Sequence, residues 1–415
     1  MKIIENNLLF IFISALPLTI IVGPSVSLIT ILLTGIIFIS IILTLDISKI
    51  YNNKVCILLF ILYLYLIFNT LISVDPFSGI YRNLGFLRFL LLFLAINYFF
   101  YVNSKGHNIF IFWSIIFSIF VIDVFIERYS GTNILGFGAD SVHEESFTRV
   151  VSFFKDEAIA GAFLNGFIFI VVGYFFSVSK QKNYPMLISV LFFILSLVAV
   201  VITGERSNTI KAFFGFVIFI FFLDFIKLKI KISLLIFLSG LLVIIILSFD
   251  YLKLRYKGQF YDFIYSKEIR DRTFENNIYI KLYKSGFNVF KNKPFFGVGN
   301  KNYRTETCKE IYKKPEYICS THPHHVYIEL LAEHGALGSI LILYIIFFII
   351  FRILKQIIMS KNYIQIGSFI YLLINFIPLL PSGSFFSDFN LTLFMINFSI
   401  MYAVNDKTNI FYSKN

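Results

Sequence analysis

The chain has 415 residues, 58% of them apolar and only 14% charged, with a formal net charge of +12. Its mean hydropathy of +0.82 exceeds what a soluble fold can hide, so it is a polytopic membrane protein. Strand-like alternation is absent, which argues against a β-barrel; the positive charge lies in short clusters between apolar runs and in no nucleic-acid motif, so no nucleic-acid partner is expected.

Twelve apolar runs predict membrane spans: Leu8–Val22, Val26–Leu45, Cys56–Ser73, Leu84–Tyr101, Ile109–Ile126, Ala158–Val178, Leu187–Thr203, Thr209–Phe225, Ile232–Phe249, Tyr327–Phe351, Ile364–Leu380 and Leu391–Val404. The first lacks a convincing cleavage site and reads as a retained span. Lysines and arginines crowd alternate short loops, at Lys49 and Lys54, Lys105, Lys180 and Lys182, Lys227 to Lys231, and Arg352 to Lys361, while the opposite short loops hold few, notably Arg82 and Arg206. By the bias of positive charge toward the cytoplasm, both termini are cytoplasmic and the long loop from Asp250 to His325 is external. The expected fold is an all-α integral membrane protein with about twelve transmembrane helices and one large extracytoplasmic loop between spans nine and ten. Residues 1–249 form an N-terminal bundle, 250–325 the loop and 326–415 a C-terminal bundle.

Charge at membrane depth is expensive and faces a cavity or a partner. Arg88 lies inside the fourth span and Asp123 inside the fifth, both read as structural polar contacts between helices. Arg149, Lys155, Asp156 and Glu157 flank the start of the sixth. Arg206, in Thr203-Gly204-Glu205-Arg206, sits between spans on the external side, where its planar fork suits a pyrophosphate; pairing with Glu205 or lipid headgroups is the alternative. In the long loop, Ile280, Tyr283, Phe287 and Phe290 recur at helical spacing and predict an amphipathic helix lying across the membrane surface. Pro294 and Gly297-Val298-Gly299 end it in what reads as a tight turn rather than a phosphate loop. Cys308 and Cys319 form either a disulfide steadying the approach to the next segment or a chance pair; Cys56 opens a span, and no C-x-x-C exists.

The most polar stretch is Ser320 to Gly338, with His322, His324, His325 and His334, four of the six histidines. Pro323 fits a first helical turn capped by Ser320 or Thr321, and the apolar run after Gly338 carries that helix into the bilayer. The histidines then stand at an electropositive helix end that favours anions. A plain interfacial helix start, its histidines bonded to the loop, is the competing reading. His334 is expected to pack at the helix surface and to tolerate substitution.

His322-Pro323-His324-His325 and the residues to Gly335 resemble the His-Pro-His-Asn signature of the O-antigen ligase and polymerase superfamily. Thr203-Gly204-Glu205-Arg206 resembles that family's first external arginine motif, and Arg149 through Gly161 its segment leading into the membrane. His325 stands where the family has Asn, and Tyr279 where a second arginine precedes the loop helix; Arg304 or Arg272 is the substitute. The resemblance implies a glycosyltransferase that moves a glycan from a polyisoprenyl (undecaprenyl) pyrophosphate to a hydroxyl acceptor, either lipid A–core or a growing glycan, without metal or cofactor. It also implies that His324 is the base and Arg206 the catalytic cation, with Arg304, Arg272, His322, His325 and Arg149 binding substrate. The site would face the periplasm from the bacterial inner membrane, among membrane lipids. Ligase is preferred over polymerase, and a transporter using Arg88 and Asp123 is the reading from another class.

Overall fold

The apolar runs fold as helices because the bilayer leaves backbone N–H and C=O groups no partner but each other. The computed structural model describes residues 2–43, 48–103, 106–138, 149–155, 157–182, 186–253, 256, 277–312 and 314–412. In chain order the principal helices are α1 (Lys2–Val22), α2 (Pro24–Ile42), α3 (Lys54–Leu71), α4 (Pro76–Gly85), α5 (Leu87–Val102), α6 (Asn108–Ser130), α7 (Ala160–Lys182) and α8 (Met186–Ile202). They continue with α9 (Arg206–Phe222), α10 (Leu228–Ser248), α11 (Ile278–Asn292), α12 (Val326–Arg352), α13 (Leu354–Ser360), α14 (Tyr363–Ile374) and α15 (Asp388–Ala403). No β-strand occurs among the described residues.

Eight of the twelve predicted runs are helices long and apolar enough to cross a membrane: those in α1, α2, α3, Pro76–Val102, α6, α7, α10 and Val326–Ser360. The other four are helical but shorter: α8 and α9 have 17 residues each, α14 has 12 and α15 has 16. Burial accounts for the two shortest. Nearly every residue of α14 and α15 is buried, so protein rather than lipid surrounds them. α14 crosses α7 backbone to backbone, since a Cβ at Gly367 would strike the Phe169 carbonyl and one at Gly173 the Tyr363 carbonyl. The window of α10 is only 17% buried, which places it at the rim.

The intramembrane charges are anchors. Arg88 pairs with Asp388, joining α5 to α15. Asp123 accepts from Ile134 N–H at 2.9 Å and Ser152 Oγ–H at 2.5 Å, and Glu127 accepts from Val151 N–H at 2.9 Å. Asp123 therefore ties α6 to the segments beside it, rather than linking two helices as the sequence suggested.

The long loop before α12 is built onto a break in that helix. Gly335 has φ 66° and ψ −172°, so the helical ladder is interrupted there. The strap after α11 satisfies the freed groups. Val298 N–H donates to Ala332 O at 3.0 Å and Gly299 N–H to Glu333 O at 2.9 Å. On the other side of the break, Ala336 N–H donates to Pro294 O at 2.7 Å and Leu337 N–H to Phe295 O at 3.1 Å. The Gly297-Val298-Gly299 turn is thus a structural clasp. α11 forms as expected but turns a different face inward: Leu282, Ser285, Gly286 and Val289 are buried, while Phe287 is exposed. Small residues win because α11 packs closely on the start of α12, where a Cβ at Gly286 would press on Ile328 and Pro323. Cys308 and Cys319 are bonded, with Cα atoms 4.6 Å apart, directly before the histidine stretch.

Candidate functional site

α12 starts at Val326, later than the sequence suggested. His325 is the N-cap, extended at φ −154°, and its Nδ1 accepts from Ile328 N–H at 3.4 Å. Pro323 and His324 therefore precede the helix, and neither Ser320 nor Thr321 caps it. His324 takes φ 54°, a left-handed conformation that is uncommon outside glycine. Its carbonyl is held by Ser382 N–H at 2.9 Å, from the segment between α14 and α15. Tyr327 Oη donates to Phe376 O at 2.6 Å, pinning the same two segments together.

This kink brings the rings of His322 and His324 into contact, tilted at 42° with centroids 3.9 Å apart. Both line a cavity of about 1120 Å³. Burial pushes the His322 imidazole down to about 4, and the neighbouring His324 and Arg82 add to the shift. Burial, then Arg149, holds His324 below the ordinary 6.5. Both shifts favour the neutral imidazole. For His324 the cause is burial and Arg149 rather than a helix end, because the residue lies outside the first turn.

Arg149, Arg206 and Arg304 line the same cavity. Arg206 opens α9, and the turn before it is tied to the start of α7: Glu205 accepts from Gly161 N–H at 2.6 Å and from Asn208 Nδ2–H at 2.7 Å. Burial pushes the Glu205 carboxyl up to about 7 against those bonds. Val150 N–H donates to Thr203 O at 3.0 Å, which brings Arg149 to the same wall. A long anion seated there meets cations from two separate stretches of chain.

His325 does not line the cavity; it is buried beside Tyr283, ring centroids 5.1 Å apart, and serves as the cap. Arg272 lies outside the described residues. Sequence reasoning missed Arg82, Lys211 and Lys301, which also line the cavity. Arg82 had a signal, being one of two positives in the otherwise neutral set of short loops; Lys211 had none, since it reads as one turn into a span. Tyr279 lines the cavity with its ring edge-on to His324, centroids 6.2 Å apart. His334 is fully buried, not at the helix surface: its Nδ1 lies 3.3 Å from Tyr65 Oη and its ring packs on Phe386. Among the described residues, no three His, Cys, Asp or Glu side chains gather to hold a metal.

A cavity with neutral imidazoles on one wall and guanidinium groups around them can take a proton from a hydroxyl and hold a multiply charged leaving group. Residues 191–343, from α8 to the middle of α12, match the family model described as O-Antigen ligase. That stretch contains both the Arg206 turn and the histidine block. No curated protein matches the chain. Over residues 191–343, therefore, this membrane protein is similar to the O-antigen ligase family.

Proposed function

We propose that the chain transfers a glycan from a polyprenyl pyrophosphate to a hydroxyl acceptor in the cavity around His324. One observation carries this reading: a neutral His324, held outside its helix, shares one cavity with Arg149, Arg206 and Arg304. His324 takes the acceptor's hydroxyl proton as the oxygen attacks the anomeric carbon. The bond from that carbon to the pyrophosphate oxygen breaks, and Arg206 with Arg149 or Arg304 stabilises the charge that develops. His322, its ring against that of His324, lines the same pocket and contacts substrate. No metal takes part in this scheme.

The alternation of positive loops supports a periplasmic cavity in the inner membrane, with the acceptor on lipid A–core. Reporter fusions at Lys309 should report the external side; a cytoplasmic signal would remove the donor from reach. Purified protein, with and without chelator, should move a lipid-pyrophosphate-linked glycan onto core. A deletion strain should accumulate long carrier-linked polymer over bare core. Core capped with single repeat units would instead assign the chain to polymerisation within the same superfamily.

A further inference from the structure

α4 is seated firmly on one side and bare on the other. Asp75 caps it by accepting from Phe77 N–H at 3.1 Å, and Pro76 starts it. Its inner face is packed without slack: a Cβ at Gly79 would meet the Asn300 carbonyl at 2.6 Å, and Asn83 donates to Leu66 O at 2.9 Å. The outer face carries Phe77 and Tyr81, one turn apart, 81% and 83% exposed. In a chain whose aromatic rings mostly pack on one another, neither of these rings lies against another ring among the described residues. Among the described residues no ring packs on them, yet both line the cavity beside Arg82, whose guanidinium reaches Asn300 Oδ1 at 3.3 Å and adds to the depression of His322.

We propose that Phe77 and Tyr81 form a saccharide subsite, a platform on which a pyranose ring of the transferred or accepting glycan stacks. The class of ligand follows from the proposed transfer reaction, on which this inference rests. A pyranose presents a face of C–H bonds, slightly positive, which settles on the negative face of an aromatic ring. Its hydroxyls lie at the ring edge, where Arg82 can meet them. A lipid chain would gain from the two rings but would have to bring hydrocarbon against Arg82 and the polar wall holding His322. Two rings at i and i+4 span about 6 Å along the helix, close to one sugar unit. Arg82 acts on His322 and Arg149 on His324, so the arginine beside the two rings is not the one that acts on the proposed base.

Tryptophan at position 77 or 81 tests this, because the chain's single tryptophan, Trp113, is fully buried and gives a constant background. Full-length Phe77→Trp and Tyr81→Trp proteins are placed in nanodiscs and titrated with the water-soluble glycan released by mild acid from the cells that make this protein. The expected result is a saturable fluorescence change that brominated lipids in the disc do not quench. Combined Phe77→Ala and Tyr81→Ala should weaken that glycan's binding by about tenfold, read by calorimetry, and Tyr81→Phe should retain it. Quenching by brominated lipid without a glycan response would make the rings a membrane anchor and overturn the proposal, as would silence in both arms. The readout is binding without turnover. A chain that binds glycan but fails to transfer it would refute the reaction and keep the subsite.

Discussion

α9 joins two polar regions of opposite character. At its start, Arg206 lies with Arg149, Lys211, Lys301, Arg304 and Arg82 around a cavity whose acidic side chains, among the described residues, are Glu157 and Glu205. At its far end, about 25 Å away by helical rise, Asp224 receives Lys361 at 2.8 Å and Lys180 at 3.5 Å and is hydrogen-bonded by Tyr363. The second region ties its one carboxylate to two lysines and a tyrosine hydroxyl at short range, and joins the ends of α7 and α9 to the start of α14. The first is over-supplied with cations, and its carboxylate Glu205 is tied to Gly161 N–H and Asn208. Charge gathered for the fold's sake is met by short ion pairs; the cation surplus around the cavity is what the proposed pyrophosphate donor would meet.

That contrast can be broken at several points. His324→Ala should lose the most, at least roughly a hundredfold in transfer, as removal of a general base does. Membrane abundance and thermal stability should hold, because the ring projects into a cavity. Near-normal transfer in this variant, measured at matched abundance, would end the assignment. His334→Ala, ten residues on, should do the reverse. Its ring is fully buried against Phe386 and Tyr65, so truncation leaves a cavity and a lost partner, a cost of about 2 kcal/mol in stability. Unfolding monitored by thermal aggregation should move, with turnover per folded molecule largely kept.

Arg149→Met sharpens the electrostatic part. A base works when neutral, so transfer should fall as pH drops through the pKa of His324, which burial and Arg149 hold below 6.5. Removing the Arg149 charge lets that pKa rise, and the acidic limb of the pH–rate profile should move to higher pH. A limb that stays in place would remove Arg149 from the surroundings of His324, whatever happens to the maximal rate. Lys361→Ala, in the Asp224 region, should have the smallest effect. The pair with Asp224 is partly exposed, so stability should change by at most about 1 kcal/mol, with transfer unchanged. A large loss of transfer there would mean that the two ends of α9 are coupled.

Local chemistry made much of this legible. Runs such as those of α1, α2, α6 and α10 are apolar over a bilayer's thickness and could form little else. The Thr203-Gly204-Glu205-Arg206 turn and the histidine block carried enough side-chain identity to be singled out, and the cavity holds residues from both. What local pattern could not supply was neighbours. Periodicity reports that a face is buried, not by what, so α11 was expected to offer its large residues to a membrane surface; it uses Ser285 and Gly286 to approach α12 closely. Nothing near Gly335 in sequence reveals that the backbone of residues 294–299 completes a broken helix, because those hydrogen bonds cross some forty positions of chain. The same holds for Arg82, brought beside His322 from over two hundred residues away, and for His325 and His324, adjacent in sequence yet divided between cap and cavity by one left-handed residue. The sequence by itself determined the helices and the stock of chemical groups; only the tertiary structure decided which groups share one volume, since that depends on close approaches between distant backbones that no local pattern encodes.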